Sequence, residues 1–413
     1  INMLTQEQKQ QFSEILEELG QTLDISKGQY ETAVRSYMAV GNQLSKEGSV
    51  LAPYKPEILP QGSFLLGTMI QPVNENDDLD IDLVCKLTGK QPSWTQYNLK
   101  QKVGDQLKEN EVYRKMLKKE GRRCWTLEYS DSANYHMDIL PSIVDSGYQT
   151  ILEMAFSSND LTDLNKLAIR ITDKNRDDYF FENNHKVWLK CNPFGYGKWF
   201  SVQASLDLTK RITLGESIKP VPQYQKDKLP LQRVVQILKR HRDLMFNGDE
   251  DKPISIIITT LAARAYQKET SILEALLNVI ERMHLFILEK FDPESGKMIK
   301  WIGNPVNAEE NFADKWKEAP KKQINFYKWL EAVKADVRNA LNQKDKGLHS
   351  VMESLKSPFG EKSVSLAFAN YGEKQLQLRK AGGLKMAGIT GMIGSVGKTS
   401  ITQHTNFGAK KDQ

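Results

Sequence analysis

The chain has 413 residues, of which 39% are apolar and 26% charged, and its formal net charge is +5. This composition is typical of a globular protein, and the length suggests two or three structural units with a substantial core. No apolar run is long enough to cross a bilayer, which excludes a membrane-spanning protein, and the small positive charge is too weak to indicate a nucleic-acid binder by itself.

The cysteine content indicates a reducing compartment. Cys85, Cys124 and Cys191 are widely separated and form no Cys-x-x-Cys pair. This spacing argues against a disulfide framework and against a zinc site. The N-terminus lacks the basic-then-apolar pattern of a secretion signal. We therefore expect a cytoplasmic protein without a membrane partner.

Residues 1–50 predict helices, because apolar side chains recur at helical spacing over residues 6–23 and 25–46. An extended run over residues 58–63 follows and ends in a Gly-Ser turn. Residues 79–87 then alternate between apolar and polar side chains. This alternation predicts a strand whose two faces lie in different surroundings.

The next hundred residues predict one helix, two strands and a connecting segment. Residues 94–119 are expected to be helical, and residues 123–129 and 135–144 have the pattern of strands. Residues 160–228 are rich in Asn, Asp, Pro and Gly. We interpret this segment as a hinge held in place by aromatic anchors.

The last part of the chain is predicted to be helical from Pro230 to about residue 343. The individual helices are expected over residues 254–266, 272–289 and 311–341, with a last helix from residue 350. We therefore predict an α+β protein with two lobes and a ligand cleft between them. The predicted units are bracing helices (1–50), a sheet-bearing lobe with its hinge (51–225), a helical lobe (226–380) and a flexible Gly- and Ser-rich tail (381–413).

Three acidic residues and one turn carry the chemical signal. Asp80 and Asp82, at positions i and i+2 of a strand, project from one face, and Asp138 lies on another predicted strand. Magnesium prefers oxygen ligands, and phosphoryl transfer uses two such ions about 3.5–4 Å apart. Gly62 and Ser63 form a turn whose N–H groups and hydroxyl can approach phosphates closely.

This pattern predicts a site for two Mg²⁺ ions, with Mn²⁺ as a substitute, held by Asp80, Asp82 and Asp138. We expect Asp138 to bind only the ion that activates the attacking hydroxyl. A single Asp-x-Asp pair on a strand is usually no more than a solvated face. The hypothesis therefore depends on the three carboxylates and the Gly-Ser turn occurring together, in this order.

Two further segments supply candidate nucleotide contacts. Lys239 and Arg242 lie on one face of a predicted helix, where they form either a solvated surface or a clamp for a triphosphate. Tyr196 lies in an aromatic part of the hinge, where its ring either stacks on a purine base or anchors the fold. The residues alone leave both alternatives open.

Together these motifs resemble the signature of the CD-NTase family, the bacterial cGAS/DncV-like members of the polymerase-β-like nucleotidyltransferase superfamily. The resemblance covers about residues 55–320. It rests on the segments Gln61-Gly62-Ser63-Phe64, Gly67-Thr68, Asp80-Ile81-Asp82-Leu83-Val84, His136-Met137-Asp138-Ile139-Leu140-Pro141, Asn192-Pro193-Phe194-Gly195-Tyr196, Leu238-Lys239-Arg240-His241-Arg242-Asp243, Pro253-Ile254-Ser255 and Asn304-Pro305-Val306-Asn307.

The resemblance implies a bilobed polymerase-β-like nucleotidyltransferase fold with a mixed catalytic sheet and a C-terminal helical lobe. It also implies that Lys239 and Ser255 contact the donor triphosphate and that Gln61 belongs to the nucleotide-binding turn. Cys191 stands where many relatives have Ser, so the choice of base is not predicted.

The function implied by the resemblance is that of a cyclic oligonucleotide synthase. Such an enzyme joins ATP, GTP or other nucleoside triphosphates into a cyclic di- or trinucleotide and releases pyrophosphate. The product is expected to be a second messenger for a separate effector in antiphage (CBASS) defence. Accessory proteins that regulate the enzyme or conjugate its tail remain open as partners, and activation by DNA is not implied because no Cys and His cluster is present.

Three alternatives stay open on sequence grounds. The first keeps the chemistry but changes the product, as in a linear oligoadenylate synthase or a tRNA-end nucleotidyltransferase. The second is a catalytically inactive nucleotide-binding regulatory protein, against which the three aspartates and the Gly-Ser turn argue. The third is a toxin that adds nucleotides to RNA or protein, although the helical half makes this chain larger than the minimal members of that class.

Overall fold

The computed structural model describes residues 4–74, 79–129, 135–158, 160–206, 224–293, 295–386, 393–394 and 399–400. Part of the predicted hinge, residues 207–223, and most of the predicted tail lie outside the described residues. Within the described ranges, no helix combines the length and the apolar character that crossing a membrane requires.

The helices and strands are numbered in chain order. The α-helices of the described residues are α1 (Gln6–Leu23), α2 (Lys27–Leu44), α3 (Gly62–Leu66), α4 (Gln96–Lys108), α5 (Glu111–Met116), α6 (Tyr148–Phe156), α7 (Pro193–Ala204), α8 (Pro230–Phe246), α9 (Ser255–Ala265), α10 (Ile272–Arg282), α11 (Pro320–Asn342), α12 (Leu348–Phe359) and α13 (Glu361–Lys380). The strands are β1 (Glu57–Pro60), β2 (Leu79–Thr88), β3 (Trp125–Tyr129), β4 (Tyr135–Val144), β5 (Ile169–Ile171), β6 (Leu189–Cys191), β7 (Leu288–Asp292), β8 (Lys297–Trp301), β9 (Gly303–Asn304), β10 (Asn307–Asn311), β11 (Lys385–Met386), β12 (Ile393–Gly394) and β13 (Thr399–Ser400).

The main sheet is mixed, as predicted. Its strand order is β1-β2-β4-β5-β6, and β3 pairs with the first half of β4. Strands β2 and β4 run parallel, whereas β1, β3 and β5 pair antiparallel with their neighbours. The parallel pair lies at the centre of the sheet, so both of its strands are held in register on two sides.

The two faces of β2 pack against different partners. Leu79, Ile81 and Leu83 are buried in a core cluster together with side chains of α2 and α4. The opposite face carries Asp80 and Asp82 and continues with Val84, which is buried in a second cluster formed largely by the C-terminal helices. The predicted alternation is confirmed, and it turns both carboxylates toward the helical lobe.

Helix α1 packs against the helical lobe instead of bracing the sheet, which corrects the prediction for residues 1–50. Phe12 and Leu16 are buried in the cluster of the C-terminal helices. A polar contact also joins α1 to the helical lobe, since the Lys9 ammonium lies 3.0 Å from the carboxylate of Glu274 on α10. Of the two N-terminal helices, α2 is the one that braces the sheet, with Tyr37 buried among the side chains of β2 and β4.

The stretch between α10 and α11 is also different from the prediction. Helix α10 ends at Arg282, and the chain then forms the hairpins β7–β8 and β9–β10. A positive φ of 65° at Gly296 lies within the first hairpin connection, where glycine is favoured. The helix expected from residue 311 begins at Pro320, because proline fits the first turn of a helix, where its missing N–H is not needed.

Regular structure extends into two segments that were predicted to be irregular. In the hinge, the side chain of Asn192 accepts a hydrogen bond from the Gly195 N–H at 2.9 Å and caps the N-terminus of α7. In the tail, Lys385–Met386 pairs with two short strands, β12 and β13. Both cases show local hydrogen bonding that apolar periodicity does not reveal.

Candidate active site

The three predicted carboxylates lie side by side on the central parallel strands. The register pairs Asp82 with Asp138 and Asp80 with His136. Adjacent strands are spaced about 5 Å apart, and residues i and i+2 of one strand lie about 7 Å apart. The backbone therefore brings all three aspartates to one place, on the sheet face that is turned toward the helical lobe.

The turn after β1 approaches one of these carboxylates directly. The Gln61 N–H donates a hydrogen bond to the Asp82 carbonyl at 2.9 Å. Gly62 then takes a φ of +57°, in the left-handed region, and begins the short helix α3. A Cβ at Gly62 would lie 2.5 Å from Oδ2 of Asp82, so only glycine permits this approach.

A cleft of about 580 Å³ opens between the sheet and the helices α8 and α9. This volume falls within the range of small-molecule sites. Side chains from both lobes line it, which agrees with the predicted position of the site. The polar residues among the described lining are Ser63, Thr68, Gln71, Asn74, Asp80, Asp82, Lys239, Arg242, Asp243, Asn247, Lys252, Ser255 and Thr259.

Two basic residues of α8, Lys239 and Arg242, face this cleft, and both are hydrogen-bonded to other groups of the protein. The buried Lys239 ammonium donates to the Thr68 carbonyl at 2.9 Å. The Arg242 guanidinium donates to the Asp243 carboxylate at 2.8 Å and to the Ser255 hydroxyl at 2.9 Å. Because the Ser255 oxygen accepts from Arg242, its own O–H is oriented to donate elsewhere.

Charge and burial shift the protonation of the two groups that face each other across the site. Burial, together with the nearby Asp138 and Asp80 carboxylates, raises the pKa of Asp82 to about 6 against the opposing effect of Lys239. Burial, together with Arg242, lowers the pKa of Lys239 to about 8. The cleft thus holds a desolvated carboxylate and a desolvated ammonium within electrostatic reach of each other.

Asp138 lies beyond Asp82, toward β3. Its Oδ1 accepts a hydrogen bond from the Thr126 hydroxyl at 2.5 Å, and the two residues are register partners on β3 and β4. Asp138 is not among the described residues that line the cleft. It therefore flanks the carboxylate pair on the side away from Lys239, and its assignment to the attacking hydroxyl remains a prediction.

The donor set fits a divalent cation. Three carboxylates supply the hard oxygen ligands that Mg²⁺ and Mn²⁺ prefer. Ionised Asp82 is half-buried between two like charges, a cost that a cation would offset. Among the described residues, no three His, Cys, Asp or Glu side chains converge closely enough to enclose an ion. Because Asp82 and Asp138 are register partners and Asp80 shares their face, we expect the carboxylates to approach each other by side-chain rotation when an ion binds.

Two of the predicted nucleotide contacts, Tyr196 and Gln61, are not among the described residues that line the cleft. Tyr196 is buried, and its hydroxyl is hydrogen-bonded to the Thr260 hydroxyl at 2.8 Å. Its ring packs against Trp199 and is therefore an anchor of the fold, not a stacking surface in the cleft. Gln61 acts on the turn through its backbone and is not among the described residues lining the cleft.

Sequence reasoning missed several polar residues of the cleft. Asp243 follows the basic run on α8 and anchors Arg242, and its position four residues after Lys239 was a usable helical signal. Lys252 lies in the connection to α9, 3.6 Å from the Asp243 carboxylate. Nothing in the sequence near Lys252 indicates a role, because only the fold of this connection brings it to the cleft.

The chain is similar to characterised proteins along most of its length. The family described as cyclic GMP-AMP synthase DncV-like, nucleotidyltransferase domain, matches residues 56–141. A c-di-GMP synthase of Roseivirga ehrenbergii is 28% identical over 336 residues, which are 79% of each chain. The cyclic dinucleotide synthase CdnG of Bradyrhizobium diazoefficiens is 22% identical and covers 96% of this chain and 94% of its own.

The fold is shared as well. The solved structure of the Bradyrhizobium diazoefficiens CD-NTase CdnG in complex with GTP superposes with a TM-score of 0.62 and 19% identity. It covers 87% of this chain and 99% of that one. The correspondence therefore includes both the sheet and the helical lobe.

Proposed function

Because this chain belongs to the CD-NTase family of DncV-like nucleotidyltransferases, we propose that it joins two molecules of GTP into a cyclic dinucleotide and releases two molecules of pyrophosphate. Its relatives are a c-di-GMP synthase and the cyclic dinucleotide synthase CdnG, and the CdnG structure contains GTP. These relatives support guanine as the base. The product would serve as a second messenger for a separate effector.

One observation carries the catalytic part of the proposal. Asp82 and Asp138 are register partners on parallel strands, with Asp80 on the same face, and the Gly62 turn closes against Asp82. A solvated strand face needs neither a glycine fitted against a carboxylate nor a cleft above it. This arrangement supports phosphoryl transfer in the cleft.

The donor triphosphate would bind between the Gly-Ser turn and helices α8 and α9. Lys239 contributes a positive charge next to the phosphates, and its proton becomes more tightly held once the anion arrives. Ser255, which accepts from Arg242, directs its hydroxyl proton toward a phosphate oxygen. Ser63 lies on the opposite wall, so the triphosphate is held from both lobes.

The acceptor ribose hydroxyl would attack the α-phosphorus of the donor. A new P–O bond forms, the bond to pyrophosphate breaks, and the hydroxyl proton passes from the acceptor oxygen to water. A second transfer of the same kind closes the ring. Divalent cations held by Asp80, Asp82 and Asp138 would make the hydroxyl more acidic and neutralise the charge on the leaving pyrophosphate. The three carboxylates position these charges within a desolvated site.

The test is incubation of the protein with all four labelled nucleoside triphosphates and Mg²⁺ or Mn²⁺, then phosphatase treatment and mass spectrometry. We expect a phosphatase-resistant product with the mass of a cyclic dinucleotide of guanosine. A product that loses terminal phosphates would indicate a linear oligonucleotide synthase. Absence of pyrophosphate release with either cation would favour an inactive nucleotide-binding protein.

A further inference from the structure

Thr126 contacts the third carboxylate of the site from the neighbouring strand. It lies on β3, directly across from Asp138 on β4, and its hydroxyl is 2.5 Å from Oδ1 of that carboxylate. An ionised carboxylate can only accept hydrogen bonds, so the hydroxyl is the donor. Both side chains are partly buried, which limits competition from water.

Asp138 has neighbours of opposite character on its two sides. Its register partner on β2 is Asp82, a like charge, and its register partner on β3 is Thr126, a hydrogen-bond donor. Repulsion from Asp82 and attraction by Thr126 favour the same orientation of the Asp138 carboxyl group. Oδ1 is thereby held toward β3, so a cation at the shared site would meet Oδ2.

Threonine is suited to such a contact because its side chain is rigid. Branching at Cβ restricts its first torsion angle, so the hydroxyl stays in place. A hydrogen bond to a charged group shifts an equilibrium by a factor of about 10 to 100. Groups that orient metal-binding side chains commonly change metal affinity or activity to the same extent.

We propose that Thr126 is a positioning residue that holds the Asp138 carboxylate in the orientation needed to bind a divalent cation beside Asp82. This proposal rests on the proposed function, since it assigns Asp138 to the cation site. Thr126 is not among the described residues that line the cleft. Its loss should therefore affect cation binding and turnover more than the binding of the donor triphosphate.

The test compares Thr126→Val, which keeps the shape and branching of the side chain, with Thr126→Ser, which keeps the hydroxyl. Thr88→Val is the matched control, because Thr88 ends β2 in the same sheet and pairs with Val144. Two quantities are measured: Mn²⁺ binding to the full chain without nucleotide, by electron paramagnetic resonance, and kcat and KM for GTP.

We expect Thr126→Val to weaken Mn²⁺ binding about tenfold and to lower kcat about 10- to 100-fold, with KM for GTP changed less than about threefold. Thr126→Ser and Thr88→Val should stay within about threefold of the unmodified chain. Wild-type Mn²⁺ affinity and kcat in Thr126→Val would overturn the proposal. An equal loss in Thr126→Ser would also overturn it, because the hydroxyl would then not be the cause.

The two proposals fail in different ways. If the unmodified chain makes no cyclic product but Thr126→Val still weakens Mn²⁺ binding, the positioning role stands and the proposed function fails. If the unmodified chain makes the cyclic product and Thr126→Val matches it in both measurements, the function stands and the positioning role fails.

Discussion

Asp82 is the residue at which the electrostatic and steric constraints of the cleft meet. It is a register partner of Asp138, it shares a strand face with Asp80, and Gly62 closes against its Oδ2 atom. Its pKa of about 6 lies above the ordinary value of an aspartate, so the folded chain binds this proton more tightly than the unfolded chain does. Ionised Asp82 therefore destabilises the protein in the absence of a cation.

The first prediction concerns the stability of Asp82→Asn. Above about pH 6 the wild-type carboxylate is ionised in the fold, and each unit of raised pKa costs about 1.4 kcal/mol, so the variant should be more stable by about 1–3 kcal/mol at pH 7.5 with a chelator present. As the pH falls through 6 toward 4, the wild-type group becomes protonated and the gain should vanish. Urea unfolding at pH 7.5 and pH 4.5 measures this difference, and a gain that is equal at both pH values would contradict it.

The second prediction concerns Lys239, whose pKa of about 8 means that it loses its charge at moderately alkaline pH. The value of kcat/KM reports ionisation in the free enzyme, so kcat/KM for GTP should fall as the pH rises through 8, by up to about tenfold per unit. In Lys239→Met the value should be low and should lack this step between pH 7 and 9. An alkaline step that persists in Lys239→Met would assign the ionisation to another group.

The third prediction uses two glycines with similar backbone angles. Gly62 and Gly89 both have positive φ, +57° and +75°, but a Cβ meets the Asp82 carboxylate only at Gly62, whereas Gly89 has open space. Both Ala variants should lose about 1 kcal/mol of stability through backbone strain. Only Gly62→Ala should also lose most of its turnover. Equal activity of the two variants would show that the close approach to Asp82 is not needed.

At the scale of elements, the network around Arg233 joins α1 to α8. The Arg233 side chain is fully buried, 2.8 Å from the Asp24 carboxylate and 2.9 Å from that of Glu17. The Arg233 side chain also fills the space beside Gly20, where a Cβ would lie 2.6 Å from its Cδ atom. This network explains why α1 belongs to the helical lobe.

The fourth prediction follows from that burial. Arg233→Met should destabilise the chain by about 3–5 kcal/mol, because it removes a buried charge and leaves the partly buried Asp24 and Glu17 carboxylates without a full partner. Arg338→Met, which removes the exposed pair with Glu281, should cost less than about 1 kcal/mol. Urea denaturation gives both values. Similar losses in the two variants would mean that the Arg233 network does not hold α1 in place.

An element could be predicted from the sequence when the residues that determine it are close together in the chain. The strands β2 and β4 were predicted almost to the residue, since alternation directly reflects the two faces of the sheet. The partner of α1 could not be predicted, because an apolar helical stripe does not specify what it packs against. The hairpin β7–β8 was missed because its strands are largely exposed and carry no strong apolar pattern.

The same distinction holds for the candidate site. The three aspartates, Gly62 and Ser63 were proposed from short motifs. The strand register places the aspartates on neighbouring strands, and all of these residues except Asp138 line the cleft. The sequence left open whether Tyr196 stacks on a purine base or anchors the fold. Its buried hydrogen bond to Thr260 places it in the core. Thr126 and Lys252 were not found, because their positions depend on strand pairing and on a loop between helices, which the sequence does not display.

At the scale of the whole molecule, the cleft exists because helices cover the polar end of one sheet face but their side chains do not fill the space above it. On β2, Asp80 and Asp82 line this space, and Val84 closes it by packing into the core shared with the helical lobe. The sheet supplies the carboxylates, and α8 and α9 supply Lys239 and Ser255. The proposed catalysis would therefore require both lobes.

The fifth prediction tests this account most directly, by comparing cyclic dinucleotide formation from GTP in the unmodified chain and in the double variant Asp80→Asn with Asp82→Asn. Both substitutions keep side-chain size and remove charge, so we expect an intact fold by circular dichroism and no detectable product by mass spectrometry. The unmodified chain should yield the phosphatase-resistant cyclic dinucleotide. A double variant that still consumes GTP and forms the product would contradict the assignment of the active site.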